Sequence, residues 1–95
     1  MALREPLNPA EARRLIQAIL AAGEVVSSSH ANNEMAADGL DLVDCITVLR
    51  SGVVEPGEFA GGTWRYRVRA RDVCAVVAFR SVKRLVIVTA WRVRT

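Results

Sequence analysis

An α+β fold is predicted: two to three N-terminal helices packed on one face of a twisted antiparallel sheet of three to four strands. Three observations predict it. Apolar residues recur at helical spacing up to about Gly52 and alternate with a period of two from Val53 onward. Capping residues punctuate the first half of the chain, and glycine or proline pairs punctuate the second. The last strands are joined by Arg71-Asp72 and Val82-Lys83, connections short enough to imply antiparallel neighbours.

Asn8 caps the first helix, Pro9 takes its first position and Glu11 stands three residues after the cap. Ala12, Leu15, Ile16, Ile19 and Leu20 then follow helical spacing until Gly23 ends the run. Residues 24–26 read as a short extended piece. Ser29 is placed to cap a short second helix, residues 30–38, which Gly39 stops. Residues 40–50 read as a third helix with Asp41 as cap, Val43, Ile46 and Leu49 as apolar stripe, and Gly52 at its close. Residues 53–55 read as a strand, and Pro56-Gly57 and Gly61-Gly62 mark a turn or loop. Longer strands follow at about 63–70, 73–81 and 84–93, an antiparallel meander. No repeat, linker or low-complexity tract divides the 95 residues, so one domain is expected over 1–95.

The strand at 63–70 carries the most information. In residues 63–71, TWRYRVRAR, every second residue is arginine: Arg65, Arg67, Arg69 and Arg71, interleaved with Trp64, Tyr66 and Val68. A strand sends alternate side chains to opposite faces, so one face is apolar and the other is a row of guanidinium groups. Such a row suits phosphate, and it equally suits the solvated outer face of a half-buried sheet. If Ala70 pairs with Val73, then Arg69 lies opposite Cys74, Arg67 opposite Val76 and Arg65 opposite Ala78. If Ser81 pairs with Arg84, Arg80 faces Leu85, and Thr89 and Trp91 join the arginine face. Trp64, Tyr66, Val68, Val77, Phe79, Val86, Val88 and Ala90 then form the core face.

Charge follows the same division. Residues 1–62 hold four arginines against nine acids, a net of −5. Residues 63–95 hold eight arginines and Lys83 against Asp72, a net of +8, within an overall +3. A polarised surface of this kind favours a polyanion on one side. No apolar run approaches the roughly 18–20 residues of a membrane span, and the N-terminus lacks the layout of a secretion signal, so a cytoplasmic protein is expected. Cys45 and Cys74 show no ligand spacing and His30 is the single histidine, so both cysteines read as small buried hydrophobes and no metal site is expected. Walker and dinucleotide fingerprints are absent, and no cofactor is expected.

Candidate chemistry gathers around the imidazole and the arginines. His30 stands four residues before Glu34, the spacing that puts both on one helix face. A histidine oriented by a carboxylate can serve as general acid or base, and the same pair can equally be a surface ion pair. Arg65, Arg67, Arg69 and Arg80 can hold a phosphate backbone, and one of them can stabilise a pentavalent phosphorus. Thr89 reads either as a phosphate donor or as an ordinary strand threonine. Trp91 reads either as a base-stacking platform or as a core-edge residue.

The layout HAxxEM and DGLDxxD, a Val-Leu-Arg-Ser-Gly helix end, then WRYRV, VVAF and VIVTAW strands, resembles a small bacterial domain family related to the MqsR and RelE toxins. That family is similar to the barnase/colicin/RelE ribonuclease superfamily, and the resemblance spans about residues 10–93. It implies a RelE/MqsR-like toxin of a type II toxin–antitoxin pair, a metal-independent endoribonuclease that cleaves mRNA through 2′-hydroxyl attack. It further implies an antitoxin encoded nearby, with His30, Arg65, Arg67, Arg80 and Thr89 at the positions of the family's motifs. The chain departs from many relatives in its scarcity of lysine, Lys83 alone. The alternative from another class is a non-catalytic RNA- or partner-binding module that uses the arginines and gives His30 no role. An antitoxin or immunity-like protein would be expected to carry an acidic face instead.

Overall fold

The computed structural model describes residues 2–93. In chain order its elements are α1 (Pro9–Ala22), β1 (Glu24–Ser27), α2 (Ser29–Ala37), α3 (Leu42–Ser51), β2 (Val53–Val54), β3 (Glu58–Ala60), β4 (Thr63–Ala70), β5 (Val73–Ser81) and β6 (Arg84–Arg92). The fold is α+β, and the sheet is six-stranded and mixed, in the order β1-β6-β5-β4-β2 with β3 also on β4. No helix among the described residues is long and apolar enough to cross a membrane.

The helix starts follow from side-chain oxygens that satisfy otherwise unpaired amides. Asn8 Oδ1 accepts from Glu11 N at 2.8 Å while Glu11 Oε1 accepts from Asn8 N at 2.9 Å, a reciprocal box. Asp41 and Asp44 repeat that arrangement on α3. At α2 the cap is Ser28 and not Ser29, because the Ser28 hydroxyl is the one that accepts from Ala31 N. Ala12, Ile16 and Ile19 of α1 are buried as their spacing predicts. On α3 the buried stripe is Cys45, Val48 and Leu49, and Val43 is 69% exposed. Both stripes obey helical spacing. The Cys45 face wins because the thiol seats 3.2 Å from Met35 Sδ beneath α2. Burial, then Asp44 and Asp41, push that thiol up to about 11. Both cysteines are free and buried.

The sheet corrects the sequence reading in three places. First, the extended piece at 24–26 is the strand β1, and it pairs in parallel with β6 from Glu24↔Arg84 to Ser27↔Ile87, so the sheet is mixed where an antiparallel one of three to four strands is predicted. Second, α2 continues β1 along the free edge of β6, with Ala31 and Met35 buried in the same core as α1 and α3. Its two caps satisfy that edge: Ser28 Oγ donates to Val88 O at 3.0 Å, and Arg92 N donates to Asp38 Oδ2 at 2.7 Å. Third, the region read as loop holds β3, hairpin-paired to β4 from Glu58↔Arg65 to Ala60↔Thr63. Gly61 and Gly62 both take positive φ (60° and 82°), which the right-handed strand twist requires of a two-residue turn.

Register in the meander matches the prediction at both ends and departs from it in the middle. Ala70↔Val73, Arg69↔Cys74 and Arg67↔Val76 pair as expected. Between β5 and β6, Ser81↔Arg84 is followed by Phe79↔Leu85, leaving Arg80 as an extra residue. Val77↔Ile87 is then followed by Val76↔Thr89, leaving Val88 extra on the other strand. The two shifts cancel. Between them Leu85 and Ile87, rather than Val86 and Val88, join Val77 and Phe79 in the core, both fully buried. Each such side chain contributes about 1.5–3 kcal/mol on burial.

Tyr66 is the largest fully buried side chain and fixes the N-terminal segment to the sheet. Its hydroxyl accepts from Leu7 N and donates to Glu5 Oε2, each at 2.9 Å.

Candidate functional site

The cancelling bulges decide what shares the arginine face. Thr89 lies opposite Val76, which lies opposite Arg67; Trp91 lies opposite Cys74, which lies opposite Arg69. Arg67, Thr89 and Trp91 are thereby on one side of three adjacent strands. The Arg67 guanidinium sits over the Trp91 ring, 5.7 Å from its centroid. Beside them is a cleft of about 220 Å³ lined by Arg65, Arg67, Val76, Thr89 and Trp91 from the meander, by Glu58 and Ala60 of β3 and by Glu55 and Pro56 of the segment before it.

Glu34 connects this cleft to the helix. The Thr89 hydroxyl donates to Glu34 Oε1, and the same oxygen lies 3.0 Å from His30 Nε2. Glu34 is held from the strand side and the helix side at once, and its side chain is 35% exposed against 72% for His30. Thr89, read from sequence either as a phosphate donor or as an ordinary strand threonine, thus spends its hydroxyl on the carboxylate that faces His30. The chain His30–Glu34–Thr89 ends on a cleft wall, and the ring is held against the carboxylate through Nε2, with Nδ1 as its other nitrogen.

The arginines divide by partner. Arg69 Nε is 2.9 Å from Glu55 Oε2, Arg84 Nε is 3.0 Å from Glu24 Oε1, and Arg92 Nη1 is 2.8 Å from Asp72 Oδ2. The Arg92 contact holds the Asp72 carboxyl below the usual range. Arg65 and Arg67 form no ion pair among the described residues. Arg65 Nε is also buried without a hydrogen-bond acceptor, the single such side-chain atom among the described residues. Of the sequence-predicted residues, Arg65, Arg67, Thr89 and Trp91 line the cleft, and His30 and Glu34 join it through Thr89. Arg69 is on the same face, but its charge is answered by Glu55. Arg80 is exposed in its bulge and does not line the cleft. As the extra residue of the bulge it has no ladder partner, and Phe79 takes the position opposite Leu85 that the even register assigned to Arg80.

Sequence reasoning missed Pro56, Glu58 and Ala60, having placed residues 56–62 in a turn or loop, and it gave Glu55, at the end of the strand 53–55, no part in the site. The available signal was Gly61-Gly62 between Phe59 and Trp64, a hairpin whose rings meet tilted at 55° with centroids 5.4 Å apart. A second, mainly apolar cavity of about 420 Å³ lies between residues 2–7, α1 and Val82, and contains none of the predicted site residues. No set of three His, Cys, Asp or Glu side chains among the described residues is arranged to hold a metal ion. No family model, no curated protein and no solved structure matches the chain.

Proposed function

We propose that the chain is an endoribonuclease that cleaves single-stranded RNA without a metal ion, acting in the cytoplasm on mRNA as the toxin of a type II toxin–antitoxin pair. The observation that carries this reading is one cleft with two unpaired guanidinium groups, Arg65 and Arg67, beside a threonine tied through Glu34 to His30. RNA brings its own nucleophile. His30 takes the proton of a 2′-hydroxyl, the freed oxygen attacks the adjacent phosphorus, and the 5′-oxygen leaves and takes up a proton from solvent. The product is a 2′,3′-cyclic phosphate. Arg65 and Arg67 bind the non-bridging oxygens and meet the charge that grows on them, a contact whose removal typically slows such reactions about 100- to 1000-fold. Trp91 offers a face on which an unpaired base can stack. Arg80 has no part in this scheme.

The test is purified protein with labelled single-stranded RNA and the matching DNA, in EDTA. Cleavage of RNA alone supports the reading. RNA bound tightly and left intact, with or without ribosomes, would replace it with the RNA-binding module.

A further inference from the structure

The cavity between residues 2–7, α1 and Val82 has no part in the cleavage scheme. Leu3, Leu7 and Leu15 pack one side against the core and leave the other to this space, and Ala18 and Val82 complete its apolar wall. Its volume of about 420 Å³ falls within the roughly 300–1,000 Å³ of small-molecule sites. A smaller cavity of about 270 Å³ shares Leu15, Ala18 and Val82 with it and reaches on to Ala22 and Lys83, so the two form one trough along α1. From Glu11 to Ala22 the trough follows the helix for roughly 16 Å, at 1.5 Å per residue. Val82 stands in the two-residue turn between Ser81 and Arg84, where glycine, asparagine or aspartate is the ordinary choice. It is instead apolar, half-buried and turned to both cavities. The opposite wall is anchored to the sheet, because the Tyr66 hydroxyl accepts from Leu7 N and donates to Glu5 Oε2.

The rim of the trough is basic. Arg4 and Arg14 line the larger cavity and Lys83 the smaller, and none of the three forms an ion pair among the described residues. The one acid on the lining, Glu11, already accepts from Asn8 N in the capping box. Apolar walls beneath unpaired cations match a ligand with an aliphatic chain and an anionic end. We infer that the trough binds a straight-chain aliphatic carboxylate. Arginine meets a carboxylate with two parallel N–H donors, which puts the head on Arg4 and Arg14 and leaves the chain to run along Leu15, Ala18 and Val82. A concave trough takes a single chain, whereas a face that binds a bilayer lays its apolar side chains into the lipid. The free carboxylate is therefore the occupant, and a membrane surface is not.

The experiment is calorimetric titration of the intact protein with hexanoate, octanoate and decanoate below their micellar concentrations, and with octanol as the uncharged control. Wild type, Ala18→Trp and Arg14→Gln are compared, with vesicles of an anionic phospholipid as a further arm. Ala18 and Arg14 are exposed, and equal melting temperatures will show that both variants fold. Each added methylene is expected to tighten binding by up to about fourfold as it leaves water. Octanol is expected to bind about two- to fivefold more weakly than octanoate, the range for a solvent-exposed ion pair. Ala18→Trp fills the trough and is expected to abolish the chain-length dependence, and Arg14→Gln to narrow the gap between octanoate and octanol. If Ala18→Trp melts lower than wild type, the chain-length series and the octanol control in wild type decide alone. No saturable binding of decanoate, an affinity that is flat along the series, or octanol held as tightly as octanoate overturns the inference. So does decanoate binding unchanged in a folded Ala18→Trp, or binding to the vesicles with none to the free carboxylates.

Discussion

Replacing Thr89 by valine keeps the shape of the side chain and removes only the hydroxyl that donates to Glu34. A hydrogen bond to a charged group contributes about 1.5–3 kcal/mol. Glu34 is 35% exposed, so water answers part of the loss, and the lower end of that range applies. If Glu34 orients His30 during the reaction, about 1.5 kcal/mol becomes roughly a tenfold fall in kcat/KM. The stability loss is about 1.5 kcal/mol, or about 6–12 °C in Tm for a domain of this size. The assay is initial cleavage rates and thermal melts for wild type, Thr89→Ser, Thr89→Val, Glu34→Gln and Thr89→Val combined with Glu34→Gln. Thr89→Ser keeps the donor and is expected to retain most of the rate. Thr89 acts only through Glu34, so the double variant is expected to be no slower than Glu34→Gln. A wild-type rate for Thr89→Val beside a slow Glu34→Gln would refute the relay, as would two losses that multiply.

Other outcomes follow from the same geometry. Arg67→Ala is expected to cut the rate about 100-fold or more and to reduce the slope of log affinity against log salt by about one; stopped-time assays and a salt titration check both. Arg80→Ala, an exposed bulge residue outside the cleft, is expected to change the rate by only about twofold, and inactivity would return it to the site. Burial, reinforced by Glu5 and opposed by the Leu7 amide, pushes the Tyr66 phenol from 10.0 up to about 12. The folded chain thus holds this proton more tightly than the unfolded one, so its stabilisation is complete below pH 10 and lost as pH rises toward about 12. Melting curves across that window are expected to fall more steeply for wild type than for Tyr66→Phe, which at neutral pH loses about 1–3 kcal/mol from the stranded Leu7 and Glu5 partners.

What the sequence made legible was local. The Asn8–Glu11 and Asp41–Asp44 boxes announce their helices because each spacing closes a reciprocal hydrogen-bond pair. The arginine face was legible because alternation along β4 and an even turn at Arg71-Asp72 fix the register with β5. The parallel pairing of β1 with β6 was hidden: it joins residues about 60 positions apart, from Glu24↔Arg84 onward, and a strand of four residues carries no signature of its partner. The bulges at Arg80 and Val88 were hidden for a different reason. Nothing in a run such as LVIVTAW says which β-branched residue will be left unpaired, and the choice is made by how Leu85 and Ile87 fill the core. The placing of Thr89 and Trp91 on the arginine face holds despite this error because the second bulge restores both to it. Glu58 was invisible as a cleft residue because its hairpin was read as a loop.

The most direct measurement is end-group analysis of RNA cut in EDTA by wild type, alongside binding and cleavage by His30→Ala. Products ending in 2′,3′-cyclic phosphate, with His30→Ala binding RNA normally and leaving it whole, are the predicted result. Cleavage by His30→Ala at the wild-type rate, or products with 3′-hydroxyl ends, would contradict a 2′-hydroxyl attack assisted by His30.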